Sequence, residues 1–142
     1  MTARKIIEAL NMFRHPEGGW YCETFRDLAG APRGHSTAIY YLLEKGDRSH
    51  WHRLRDAAEV WHFYAGSPLR LSVSPDGHTV EHFNLGANIL DGETPQVVVP
   101  ANFWQSAVPT GAWSLVGCTV APAFIFESFE VAPPDWVPAA LV

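Results

Sequence analysis

His50 and His52, one residue apart in Gly46-Asp47-Arg48-Ser49-His50-Trp51-His52, and the carboxylate of Glu59 are the side chains best placed in this chain to do chemistry. Two imidazoles and a carboxylate can hold a metal ion or move a proton. In an extended strand, residues two apart face the same side and lie about 6.5 Å apart. His50 and His52 are therefore expected to converge on one point, with Glu59 arriving from the next strand.

Positioning such a trio needs strands, and the chain is rich in what builds them. Trp20–Arg26, Ser36–Glu44, His50–Leu54, Glu59–Ala65, Leu69–Ser74, Thr79–Asn84, Gln96–Val99, Trp104–Val108, Ser114–Val120 and Phe124–Phe129 are apolar or alternating runs separated by turn residues, the signature of an all-β sandwich or barrel. Pro75-Asp76-Gly77 and Pro109-Thr110-Gly111 supply turn chemistry, because proline presets φ and glycine accepts positive φ. Thr2 is a plausible N-cap for a short amphipathic helix over residues 3–12, carried by Ile6, Ile7 and Leu10. The segment 86–95 is long enough to close over a barrel mouth, and the proline-rich tail at 131–142 is expected to lie on the surface or on a partner chain, anchored by Trp136.

Composition bounds the rest. The 142 residues suit one domain spanning 1–142, with a helical N-terminal piece at 1–13. Ten basic residues against fifteen acidic ones give a net charge of −5, and only Arg48, Arg53 and Arg55 cluster, which argues against a nucleic-acid partner. That cluster reads as a solvated loop or, alternatively, as an anion clamp. No apolar run reaches the length of a bilayer span. Arg4, Lys5 and Glu8 interrupt the N-terminus, so no signal peptide is expected there. Cys22 and Cys118 are isolated from each other in sequence and read as buried apolar residues, so the chain is expected in the cytoplasm.

Gly46, His50-Trp51-His52, Glu59 and Gly66 follow the order of the first cupin motif, and Pro100-Ala101-Asn102-Phe103-Trp104-Gln105 matches the second with Asn102 for its glycine and Gln105 for its histidine. The combination HPEGGWYCETFR at 15–26, EVWHFYAG at 59–66, PANFWQSAVP at 100–109 and GCTVAPAFIFESFE at 117–130 resembles an uncharacterised family of the cupin superfamily across nearly the whole chain. The resemblance implies a jelly-roll β-barrel, usually a homodimer, similar in fold to deoxysugar-nucleotide 3,5-epimerases. It carries His50, His52, Glu59 and Gln105 onto the metal-ligand positions, a donor set suited to Fe(II), Mn, Ni or Zn. Six residues separate His52 from Glu59, more than the motif normally has, so a longer turn or a bulge is needed to bring Glu59 inward.

Each residue also has a plainer reading. His50 can be an exposed loop residue, and His52 and Glu59 can pair with each other or with Arg53, since buried ionisable groups need partners whatever their function. Two functions follow. In the first, a small-molecule enzyme works on a sugar-like or other small polar metabolite. Its metal-free form uses His52 as base with Tyr40 or Tyr64 as acid, and its metal form works through a bound divalent ion. The second is a dimeric binding module in which His52, Glu59 and Gln105 only hydrogen-bond a ligand. Tyr40, Trp61, Phe63 and Phe103 are candidates for the pocket wall; His62 is expected to face outward. His15 and Glu17 are candidates for polar contacts near a mouth or an interface.

Overall fold

The computed structural model describes all residues, 1–142. The helix α1 (Ala3–Ala9) starts where Thr2 accepts a hydrogen bond from the Lys5 amide on its hydroxyl, at 3.3 Å. It stops short of residue 12 because Asn11 takes a left-handed backbone, φ 53°. Ala3 and Ile6 bury the apolar face of the helix against Met12 and Leu42. No helix is long and apolar enough to cross a membrane.

Eleven strands follow: β1 (Phe13–Arg14), β2 (Trp20–Arg26), β3 (Thr37–Glu44), β4 (Ser49–Leu54), β5 (Ala58–Gly66), β6 (Leu69–Ser74), β7 (Glu81–Leu85), β8 (Gln96–Val99), β9 (Trp104–Pro109), β10 (Trp113–Ala121) and β11 (Phe129–Val131). They form two antiparallel sheets, β1-β2-β3-β10-β5-β8 and β11-β4-β9-β6-β7. The apolar positions of the two inner faces meet in one core containing Tyr41, Leu43, Trp61, Leu71, Val99 and Val116. This is an all-β jelly roll with a short N-terminal helix: the strand pattern predicts the all-β sandwich or barrel, and the family resemblance implies its jelly-roll form.

Three local departures have physical causes. The strand expected from Thr79 begins at Glu81, because the Asp76 carboxylate holds the His78 and Thr79 amides in a turn, each at 2.8 Å. The strand expected over Phe124–Phe129 shrinks to β11 and is preceded by a 3-10 turn at Phe126–Ser128. There Phe124, Phe126 and Phe129 pack on one another, with centroids 5.0, 5.6 and 6.2 Å apart, instead of alternating between two faces. The 86–95 loop does not cover the barrel mouth. Leu85 pairs with Leu69 beside the turn that leaves β5, and the cavity described below lies where β5 begins.

The tail folds onto its own chain. Trp136 packs against Trp104 and Trp51, at centroid distances of 4.7 and 6.1 Å, and the Ala132 amide donates to the Trp51 carbonyl. At Asn102, the position where the resemblance expects glycine, φ is 71°, and its amide donates to the Leu54 carbonyl at 2.7 Å. Asparagine is one of the few side chains that tolerate that conformation.

Candidate functional site

Residues 15–19 connect β1 to β2 in a tight turn, and the turn presses on β4. The Gly18 backbone has φ 111°, and a Cβ there would meet the Arg48 carbonyl oxygen at 2.0 Å, so only glycine permits this approach. With the turn in place, the His50 amide donates to the Glu17 carbonyl at 2.9 Å, and the Glu17 side chain enters the barrel.

On β4, the register moves from Ser49 opposite Ala107 to His52 opposite Gln105, so three steps on one strand match two on the other. This bulge sets Ser49 and His52 on the same side, both reaching Glu17. Ser49 Oγ donates to Glu17 Oε2 at 2.8 Å, and His52 Nδ1 lies 2.5 Å from the same oxygen and 2.8 Å from the His50 carbonyl. His15 Nδ1 lies 3.4 Å from the other Glu17 oxygen. It also accepts the Glu17 amide hydrogen at 3.2 Å, so His15 carries its proton on Nε2.

Glu59 begins a second polar chain from β5. Trp61 Nε1 donates to Gln105 Oε1 at 2.7 Å, and Gln105 Nε2 donates to Glu59 Oε1 at 3.0 Å. The indole therefore fixes which way the amide points, and the amide holds the carboxyl.

Both chains border one cavity of about 200 Å³ at the end of the barrel. Its polar wall includes His15, Glu17, His52 and Glu59; Phe124, Phe126 and Phe129 form an aromatic side, and Glu23 and Arg26 are also on its wall.

Burial works on these groups in opposite senses. For His52 it disfavours the charged ring, but the Glu17 charge and hydrogen bond, aided by Glu59 and the His50 carbonyl, outweigh it and raise the pKa to about 9. Glu17 would be pushed up by burial, yet the His52 charge and hydrogen bond, with His15 and Ser49, hold it below the usual carboxylate range. Glu59 is raised to about 7, chiefly by burial and further by Glu17, against the opposing pull of His52 and the Gln105 hydrogen bond. His15 is lowered by burial, with Glu17 opposing and His52 reinforcing. The resting site is thus a buried His52–Glu17 ion pair beside a carboxyl poised near neutrality.

The side chains singled out from sequence distribute unevenly. His52 and Glu59 line the cavity. Gln105 and Trp61 stand behind Glu59, as its hydrogen-bond support rather than as wall. Phe63 and Phe103 pack against the main core, and Tyr40 packs on the helix side of the first sheet with Tyr64 6.1 Å away. None of these four lines the cavity. Tyr21 is the tyrosine that does. His62 faces outward, between Thr119 and Gln96.

His50 departs from the expected convergence. Because of the bulge its ring leaves the barrel, and Nε2 sits 2.9 Å from the Pro133 carbonyl of the tail. The set His50, His52, Glu59 and Gln105 is therefore not gathered around one point, and no three His, Cys, Asp or Glu side chains are disposed to hold a metal ion. Of the others, the Gln105 amide is taken at both ends, and His52 Nδ1 and Glu59 Oε1 are held by Glu17 and Gln105, which leaves only His52 Nε2 and one Glu59 oxygen, too few for a metal centre. The residues present do not fit a divalent metal centre.

Glu17, the hub of the site, is the residue whose weight the sequence least reveals. The sequence marks it, with His15, only as a candidate for a polar contact near a mouth or an interface, and nothing in the Pro16-Glu17-Gly18-Gly19 turn distinguishes it from His15 as the centre of the site. Only its contacts with β4 show that it is buried.

A family model described as "Cupin superfamily (DUF985)" matches residues 4–132. Among solved structures, a hypothetical protein from Leishmania major is 30% identical, with a TM-score of 0.87 over 96% of this chain and 90% of that one. A protein from Shewanella oneidensis is 35% identical, with a TM-score of 0.87 over 93% of this chain and 85% of that one. At 13% identity, a dTDP sugar isomerase from Desulfovibrio desulfuricans shares the fold, with a TM-score of 0.64 over 85% and 87%. No curated protein matches the chain.

Proposed function

The chain belongs to the cupin superfamily (DUF985), and from that premise we propose that it is a metal-independent, isomerase-like enzyme that moves a proton on a small polar metabolite held in the barrel cavity. The observation that carries this reading is geometric: His52 and Glu59 share one cavity wall, His52 held at Nδ1 by Glu17 and Glu59 held at Oε1 by Gln105. His52 stays protonated to about pH 9, and Glu59 titrates near pH 7. Both shifts are upward, so near neutral pH the wall offers a protonated imidazole as acid and a carboxyl close to its titration point as base.

The roles follow from charge. With Nδ1 turned to Glu17 and the His50 carbonyl, His52 has only Nε2 left for an occupant, and as an imidazolium it donates a proton or stabilises developing negative charge. Glu59, held at Oε1 by Gln105, accepts the proton from the substrate and returns it. Glu17 touches no substrate in this scheme; it keeps His52 charged and oriented. The base is therefore Glu59 rather than His52, and Tyr40 and Tyr64 take no part because they lie outside the barrel.

Incubation with candidate metabolites in deuterated water tests the proposal. Deuterium is expected at a carbon of the recovered substrate with the native protein, and not with Glu59→Gln. A substrate that binds and returns without label would overturn the catalytic reading.

One observation favours a second reading, a binding module without turnover. Ser49, Glu17, His52, Gln105 and Trp61 satisfy one another's hydrogen bonds, as a rigid recognition site requires. Exposed Phe13 and Phe25 beside the β1–β2 edge support a homodimer in either case, which light scattering would test. The free thiols of Cys22 and Cys118 support a reducing, cytoplasmic setting.

A further inference from the structure

The fold alone suggests a phosphate-bearing sugar as a ligand, but the charges around the cavity argue otherwise. Arg26 is the only lysine or arginine on the wall, and its guanidinium is already committed. Nη2 donates to Glu23 Oε1 at 2.7 Å, Nε donates to Glu23 Oε2 at 3.4 Å, and Nη1 donates to the Phe124 carbonyl at 3.0 Å. The other cation, His52, has its charge balanced by Glu17, 2.5 Å from Nδ1, so that its remaining Nε2–H acts within an ion pair that is neutral overall. Each positive charge on the wall thus has its own carboxylate, and Glu59 remains as a further acid with no dedicated counter-ion. A phosphate or carboxylate entering this site would lose water and gain no free cation, and it would face Glu59 besides.

Size points the same way. About 200 Å³ falls below the roughly 300–1,000 Å³ of pockets that enclose drug-sized ligands, so a nucleotide sugar does not fit inside. The Phe124, Phe126 and Phe129 rings give one apolar side, on which the C–H face of a ring can lie. The opposite resources are hydrogen-bonding groups that both give and take: His15 Nε2–H, His52 Nε2–H and the Glu59 oxygen that Gln105 does not hold.

From this geometry we infer that the cavity takes a single hydroxylated ring carrying no phosphate or carboxylate, an uncharged monosaccharide or cyclitol. The inference rests on the proposed function only for the location of the site. Its ligand class stands or falls separately from the chemistry.

Calorimetric titration of the full chain with D-glucose, D-xylose, myo-inositol, glucuronate, myo-inositol monophosphate and UDP-glucose tests it. At least one of the three neutral rings is expected to bind, with its charged counterpart about tenfold or more weaker. Glu23→Gln leaves Arg26 without its carboxylate and is expected to narrow that gap toward parity by strengthening the phosphate or glucuronate. Because Glu23 and Arg26 are partly exposed, the variant is expected to fold, and circular dichroism checks this. Preference of the native protein for any phosphorylated or carboxylated probe would overturn the inference, as would silence of all three neutral rings or selective binding of choline, added as a cationic control. Binding of a neutral ring without deuterium uptake defeats the proton-transfer proposal and leaves the ligand class intact. Deuterium uptake confined to a phosphorylated sugar does the reverse.

Discussion

Glu17 Oε2 lies 2.5 Å from His52 Nδ1, so a carboxylate from the β1–β2 turn and an imidazole from β4 form a buried ion pair at the cavity wall. Neither element is near the other in sequence, and each side chain is tolerable in the interior only because the other is there. Glu17→Gln is expected to destabilise the fold by about 3–5 kcal/mol, since it leaves the imidazolium uncompensated or forces it to deprotonate. Chemical denaturation gives the loss. Imidazole NMR on the folded variant should show His52 titrating well below about pH 9, and an unmoved resonance would break the link between the two residues.

The same pair sets a pH dependence on the alkaline side. The His52 pKa in the fold, about 9, lies above the ordinary 6.5, so the folded state binds the extra proton between those values. Its contribution is complete below about pH 6.5 and is lost as the pH rises through about 9. The melting temperature is expected to fall between pH 7 and pH 9.5, and to fall less in His52→Gln. Glu59, raised to about 7, acts in the same sense over the window from about 4.5 to 7, where the folded state has to accept a buried charge. Glu17, held below its ordinary range, acts oppositely and withdraws stability as the pH drops through the acid region.

Gln105→Leu leaves the Trp61 indole N–H without an acceptor and Glu59 without its amide donor. A loss of about 1–3 kcal/mol is expected from the unpaired buried groups. The more telling result is in the pH profile. The amide favours the charged carboxyl, so its removal should push the Glu59 titration further up, and the acid limb of any activity or binding curve should move to higher pH. Gln105→Glu, by contrast, would place a second acid against Glu59 and raise that titration further still.

His50→Ala separates the tail from the cavity. The lost contact is the one to the Pro133 carbonyl, so the expected effect is faster proteolysis of the tail after residue 131, with ligand affinity unchanged. Elemental analysis of protein purified without added metal should find the same content in the native protein and in this variant. Stoichiometric metal that disappears with His50 would contradict the placement of that ring outside the barrel.

Asn102→Gly is expected to be neutral, whereas Asn102→Val should cost about 1–2 kcal/mol, because a branched side chain resists φ near 71°. Thermal melts of the two variants give the comparison.

The elements of this protein were written locally. Alternating apolar runs fixed β2, β6 and β8 at the residues their patterns indicate, and Thr2 capped the helix as its side-chain chemistry requires. Side-chain period and turn residues act over a few positions, so such elements can be read along the chain. The motif positions of His52 and Glu59 on the cavity wall belong to the same level. What tertiary structure decided was partnership. A single bulge opposite Gln105 turned His50 out and put Ser49 beside His52, and strict alternation along β4 gives no hint of it. Likewise, Glu17 became the centre of the site only because the glycine turn packs against the Arg48 carbonyl. Charge and protonation in a barrel interior depend on which distant groups share it, and that is settled when the sheets close.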